Sequence, residues 1–167
     1  MDARLAEEWD KRTRECREIR GNVLATCFEI EYLLDQIIAE AIIPTATNNA
    51  DGQSLLDELF LKGPATNFRT KIEILRKLRS NVALLEPLIP EDTIANLTAI
   101  RELRNDFAHY PVTFEPTGDA PNQTLIPLLV SRRGRFVLDN VFLEKQGKIF
   151  ASTHSTLEDT VRVLKSN

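Results

Sequence analysis

Apolar residues between Val23 and Ile42 recur at alternating spacings of four and three (Val23, Cys27, Ile30, Leu34, Ile37, Ala41), and Leu24, Phe28, Ile38 and Ile42 widen that seam. The spacing predicts a helix with a broad buried face. The twenty residues before it hold six acids and six bases around a thin stripe of Leu5, Trp9, Cys16 and Ile19, a second helical pattern that needs a cover. Gly21-Asn22 separates the two, and because glycine costs about 1 kcal/mol inside a helix, a kink or break is expected there. Pro44 through Gly52 is a loop by composition. A short helix over about Ser54–Leu61 is stopped by Gly63-Pro64. Asn67 is placed to cap the next helix, whose buried face is Phe68, Ile72, Leu75 and Leu78. Pro90-Glu91-Asp92 opens a further helix, with proline in the first turn and two acids favourable to the dipole; Pro111 closes it.

Beyond Pro111 the pattern turns to β. Residues 116–123 read as a mobile loop. Leu125–Val130, Arg135–Leu143 and Lys148–Ser152 are rich in Val, Ile, Leu and Phe and are separated by Arg133-Gly134 and Gln146-Gly147, which predicts an antiparallel meander. Pro127 places the first of these strands at an edge. Ser155-Thr156-Leu157-Glu158 has the form of a capping box for a last helix to about Lys165. The expected fold is therefore mainly α: an antiparallel helical bundle over about residues 22–110, then a small antiparallel β meander and a C-terminal helix within 111–167, in a single domain 1–167.

Composition narrows the function. The chain has 167 residues, 43% hydrophobic and 28% charged, with a net charge of −4. One soluble globular domain fits these values, and the negative balance argues against a non-specific nucleic-acid coat. Bases are mildly clustered over 69–104 (seven against five acids) and over 132–148 (five against two), although solvated helix and hairpin surfaces account for such clustering too. The longest apolar stretch, Ile37 to Ile43, is interrupted by Glu40 and is too short to cross a bilayer. The N-terminal residues lack the basic-then-apolar order of a secretory signal. Cys16 and Cys27, eleven residues apart on one helix, stand roughly 16 Å from each other, too far for a disulfide. A cytoplasmic, reduced protein is expected, without membrane attachment. His109 and His154 are the only histidines, no Cys/His cluster has zinc spacing, and Glu29, Glu31 and Asp35 lack the Glu-x-x-His of a di-iron site. No glycine-rich phosphate loop is present. No metal or cofactor is expected.

The chemistry concentrates at the end of the Pro90 helix, in Arg104-Asn105-Asp106-Phe107-Ala108-His109. An arginine forks onto phosphate, and a histidine moves protons near neutral pH. At about 100° per residue from Leu97, the core residues Ile100, Leu103 and Phe107 fall between about 240° and 300°. Arg101, Asn105 and His109 fall at about 40°, 80° and 120°, a row facing away from that core. Arg104, at about 340°, sits on the boundary and diverges from His109 by about 140°. An ordinary exposed row ending in a histidine favoured by the helix C-terminus has the same appearance.

Arg-Asn-x-x-Ala-His at the end of the last long helix of a helical array resembles the motif of the HEPN superfamily, an arginine followed a few residues later by histidine, with a polar residue often directly after the arginine. The segment Leu59-Phe60-x3-Pro64-x3-Phe68-x2-Lys71-Ile72-x2-Leu75 is similar to the one preceding the motif helix in such proteins. It also resembles, more weakly, the mannitol operon repressor family of helical regulators. The likeness spans about residues 22–110 and leaves the tail aside. It implies a metal-independent endoribonuclease, in a toxin–antitoxin or defence setting, acting as a homodimer whose motif helices meet to form one composite site for RNA. His109 would then transfer protons, Arg104 would hold the phosphate, Asn105 would orient the histidine or the phosphate, and Asp106 or Arg101 would tune the site or bind. An antitoxin or regulatory protein is the further partner implied. The repressor likeness implies the alternative, a non-catalytic regulator or interaction module on the same scaffold.

Overall fold

The computed structural model describes residues 3–46, 67–118 and 124–166. They form helix α1 (Ala3–Ala46), α2 (Phe68–Asn81), the short α3 (Leu85–Leu88), α4 (Glu91–His109), strands β1 (Val112–Thr117), β2 (Thr124–Ser131) and β3 (Gly134–Val137), and helix α5 (Asn140–Ser166). The protein is mainly helical with a small three-stranded antiparallel sheet in the order β1-β2-β3. The short helix expected at Ser54–Leu61 falls outside the described residues. No described helix is long and apolar enough to cross a membrane.

The helix starts follow local chemistry. The Asn67 side chain accepts a bond from the Thr70 N–H at 3.1 Å and so caps α2. Helix α4 starts directly after Pro90 and ends at His109, as its flanking prolines demand.

The structure corrects the sequence pattern at several points. Helix α1 runs unbroken through Gly21-Asn22. A penalty of about 1 kcal/mol is small beside the burial of Cys16 on one side and of Cys27, Ile30, Leu34 and Ile37 on the other. The helix also runs past Pro44 to Ala46; a proline in the last turn removes one donor where few bonds remain to be broken. Residues 112–117 form a strand, where the pattern predicts none and a loop from 116 on. Pro116 is tolerated because β1 is an edge strand.

Pro127 lies in the central strand, not at an edge, and is paired to Phe114 on one side. The Leu138 N–H donates to its carbonyl at 3.0 Å just past the end of β3, so the donor that proline lacks falls where the ladder has closed. Finally, strand β3 stops at Val137, and Lys148–Ser152 is helix. The Asp139 carboxylate accepts from the Phe142 N–H at 2.8 Å and opens α5 there, well ahead of the expected capping box. Phe150, Thr153, Leu157 and Thr160 are buried at helical spacing, a pattern that outweighs Gly147 and the β-rich composition.

The chain divides into two compact units. One comprises the described parts of Met1–Thr26 and Glu102–Lys148. It buries Cys16, Leu103, Phe107, Leu125, Leu128, Leu129 and Leu138. Here the sheet covers part of the thin N-terminal stripe: the Trp9 and Phe114 rings meet edge-on at 4.8 Å, and Glu8 accepts from the Leu125 N–H at 3.4 Å.

The other unit comprises the described parts of Cys27–Arg101 and Ile149–Asn167. Ile38 and Ala39 of α1 pack there with Ile74 and Leu78 of α2. Lys71, 4% exposed, places its Nζ 3.1 Å from Glu31 and 2.8 Å from Asp35, a shared counter-ion for two of the crowded α1 acids.

The β2–β3 connection is a tight turn. Ser131 pairs with Gly134 across a two-residue loop, Arg132-Arg133. The Ser131 Oγ accepts from the Arg133 N–H at 3.1 Å, and Gly134 has φ of +133°. A Cβ at Gly134 meets no atom within 4 Å, so the constraint there is backbone conformation alone. Gly134→Ala is expected to cost about 1–3 kcal/mol, read as a lowered urea midpoint with unchanged slope.

Candidate functional site

The last turns of α4 present Glu102, Asn105, Asp106 and His109 at spacings of three, one and three, one face of the helix. The helix end is held from α1: the Arg20 guanidinium donates to the Tyr110 carbonyl, a cation on the exposed carbonyls of the C-terminus. The Tyr110 N–H completes the last helical bond to the Asp106 carbonyl at 3.0 Å.

Opposite this face stands the β2–β3 turn. The Arg133 Nε donates to Asp106 at 2.8 Å, its Nη2 also reaches Asp106, and its Nη1 lies 2.7 Å from Glu102. The guanidinium also sits 5.6 Å from the centre of the Phe136 ring, which in turn meets Phe142. Asp106 is 5% exposed, and burying a carboxylate is tolerable only with such a partner.

Helix face and turn enclose an open cleft of about 670 Å³ lined by Glu102, Asn105, Asp106, His109, Tyr110, Arg132 and Arg133. Asn105 and His109 are exposed at one wall, and Arg132 is exposed at the other. Arg132 makes no ion pair with the described residues.

Three of the five residues singled out from the sequence (Asn105, Asp106 and His109) therefore share the cleft. Arg104 and Arg101 are half-buried and are not among its walls. Helix phase accounts for Arg104, which lies on the side of α4 that carries Leu97 and Ile100. Asp106 is an anchor for Arg133 and not a solvated neighbour of the histidine. Arg132, Arg133, Glu102 and Tyr110 are additions. The basic run 132–135 is a visible signal in the sequence, but its pairing with residues about thirty positions upstream is not.

Chemically, the cleft offers a ligand an imidazole, a side-chain amide, a phenol and one guanidinium that has no ion pair among the described residues. The Arg133 charge is already met by two carboxylates. Such a set suits an anion that also needs proton transfer. Among the described residues, no group of three His, Cys, Asp or Glu is placed to hold a metal ion.

A second, smaller hollow of about 190 Å³ lies between α1 and β1, lined by Thr13, Cys16, Arg17, Arg20, Pro111, Val112 and Phe114. Burial, and then the charge of Glu15, push the Cys16 thiol up, against a smaller opposing pull from Arg12. A thiol kept protonated is a poor nucleophile.

Comparison with protein-family profiles, with curated proteins and with solved structures found nothing that matches this chain.

Proposed function

We propose that this chain is an endoribonuclease of the HEPN type, working without a metal, as a toxin or defence effector in the cytoplasm. The observation that carries the proposal is the cleft itself, with exposed His109 and Asn105 at one wall facing exposed Arg132 at the other. In the reaction, the 2′-oxygen bonds to phosphorus as the bond from phosphorus to the 5′-oxygen breaks. One His109 imidazole takes the 2′-hydroxyl proton, and the His109 of a second copy, entering protonated, gives a proton to the departing 5′-oxygen. Asn105 orients the imidazole or the phosphate. Arg104 points away from the His109 of its own helix, so it serves the site formed with the partner copy, where it stabilises the charge developing on the phosphate. The homodimer thus forms through the motif helix, and an antitoxin or regulatory protein restrains it.

A second reading is favoured by the position of Arg104. A chain whose motif arginine stays off the cleft fits a non-catalytic regulator that only binds. One experiment separates the two. Purified protein, dimeric by light scattering at micromolar concentration, is expected to cut single-stranded RNA in the presence of chelator, leaving 2′,3′-cyclic phosphate ends or their opened products. No cleavage across varied RNAs would count against the nuclease, and a monomer that cuts as fast per chain would count against the site shared between two copies.

A further inference from the structure

We infer that the β2–β3 turn is the phosphate-binding arm of the cleft, with Arg132 contacting the RNA backbone and Arg133 positioning it. The inference rests on RNA being the ligand of the site, but not on the chain cutting it.

The turn gives two adjacent arginines different tasks. Arg133 is committed: Asp106 and Glu102 hold its guanidinium, and the Phe136 ring lies 5.6 Å from it. A cation with two carboxylates already on it offers an incoming phosphate little net attraction, since the trio carries a net negative charge. Arg132 has no such partner among the described residues, is exposed, and lines the same cleft as His109.

The two-residue loop, the Ser131 Oγ bond to the Arg133 N–H and the positive φ of Gly134 leave the turn little freedom. Fastening Arg133 to α4 therefore fixes where Arg132 begins. Guanidinium is suited to this task because its planar fork matches a phosphate and keeps its charge at any working pH. The acidic whole-chain charge of −4 also makes a dedicated local cation necessary, because no general positive field draws a polyanion in.

The test uses a short, fluorescent 2′-O-methyl oligoribonucleotide, which keeps the phosphates but lacks the attacking hydroxyl. Anisotropy is measured over a salt series with wild type, Arg132→Ala, Arg132→Lys and Arg133→Met. Arg132→Ala is expected to bind about tenfold more weakly. Its slope of log affinity against log salt should be shallower by about 0.7 for each phosphate that is no longer neutralised. Arg132→Lys should restore the slope and part of the affinity.

Arg133→Met should weaken binding while keeping the wild-type slope, as expected of a residue that acts through its neighbour. Should it instead lower the slope as Arg132→Ala does, the division of roles would be overturned. Wild-type affinity and slope in Arg132→Ala would overturn the inference, as would failure of the wild type to bind the oligonucleotide or equal competition from an acidic peptide. Binding through Arg132 by a wild type that cuts no RNA would instead leave the arm standing and remove only the nuclease.

Discussion

Replacing His109 with alanine is expected to slow RNA cleavage by about 10²–10⁴-fold, the usual contribution of a positioned proton-transfer group. The side chain is exposed in the last turn of α4, so its loss should leave folding intact; circular dichroism and thermal melting should match the wild type. The decisive control is His154→Ala. His154 sits on α5 with its Nδ1 3.9 Å from the carboxylate of its i+4 neighbour Glu158, and cleavage should be unchanged without it. Asn105→Ala is expected to reduce the rate less, since an orienting amide transfers no proton. Cleavage at the wild-type rate by a folded His109→Ala protein would end the catalytic role of this residue.

The second large effect is on stability. Lys71→Met leaves Glu31 and Asp35 facing an apolar chain end where a cation lay within 3.1 Å of both. Breaking a buried ion pair by removing one partner costs about 3–5 kcal/mol. The lower end applies here because the two carboxylates retain 17% and 24% side-chain exposure. Urea denaturation should show the loss directly. The combined variant Lys71→Met, Glu31→Gln, Asp35→Asn should recover much of it, because a neutral trio of similar volume leaves no charge stranded. A combined variant no more stable than Lys71→Met would assign the loss to packing of the lysine stem.

The contrast between these two sites explains which parts of the structure can be read from the chain. Signals confined to one turn of backbone are legible. Asn67 caps its helix, Pro90 and Pro111 bracket α4, and the face carrying Asn105 and His109 follows from rotation alone. Signals in competition mislead. In 138–152, β-rich composition and the Gln146-Gly147 dipeptide point one way, while the spacing of Phe150, Thr153 and Leu157 with the Asp139 cap points the other. Helical burial wins. Contacts across the chain are not legible at all. Nothing in Lys71 marks it as the partner of Glu31 and Asp35, 36 or more positions away, and nothing in Arg133 marks it as the partner of Asp106. The position of Arg104 is implicit in the helical angles, yet its exclusion from the cleft is plain only once the opposite wall is known to be the β2–β3 turn.

That turn also acts as a proofreader of the sheet. Side chains alternate across a strand, so a slip of one residue between β2 and β3 would reverse every face. It would turn Phe136 of β3 away from the Arg133 guanidinium it now faces at 5.6 Å, and it would alter the two-residue loop that holds Arg133 on Asp106. The misaligned hairpin would lose its buried counter-ion together with its apolar cover, a double penalty falling on one mistake. Correct strand alignment and an assembled cleft are thus a single event, and a half-formed sheet carries no working fraction of the site.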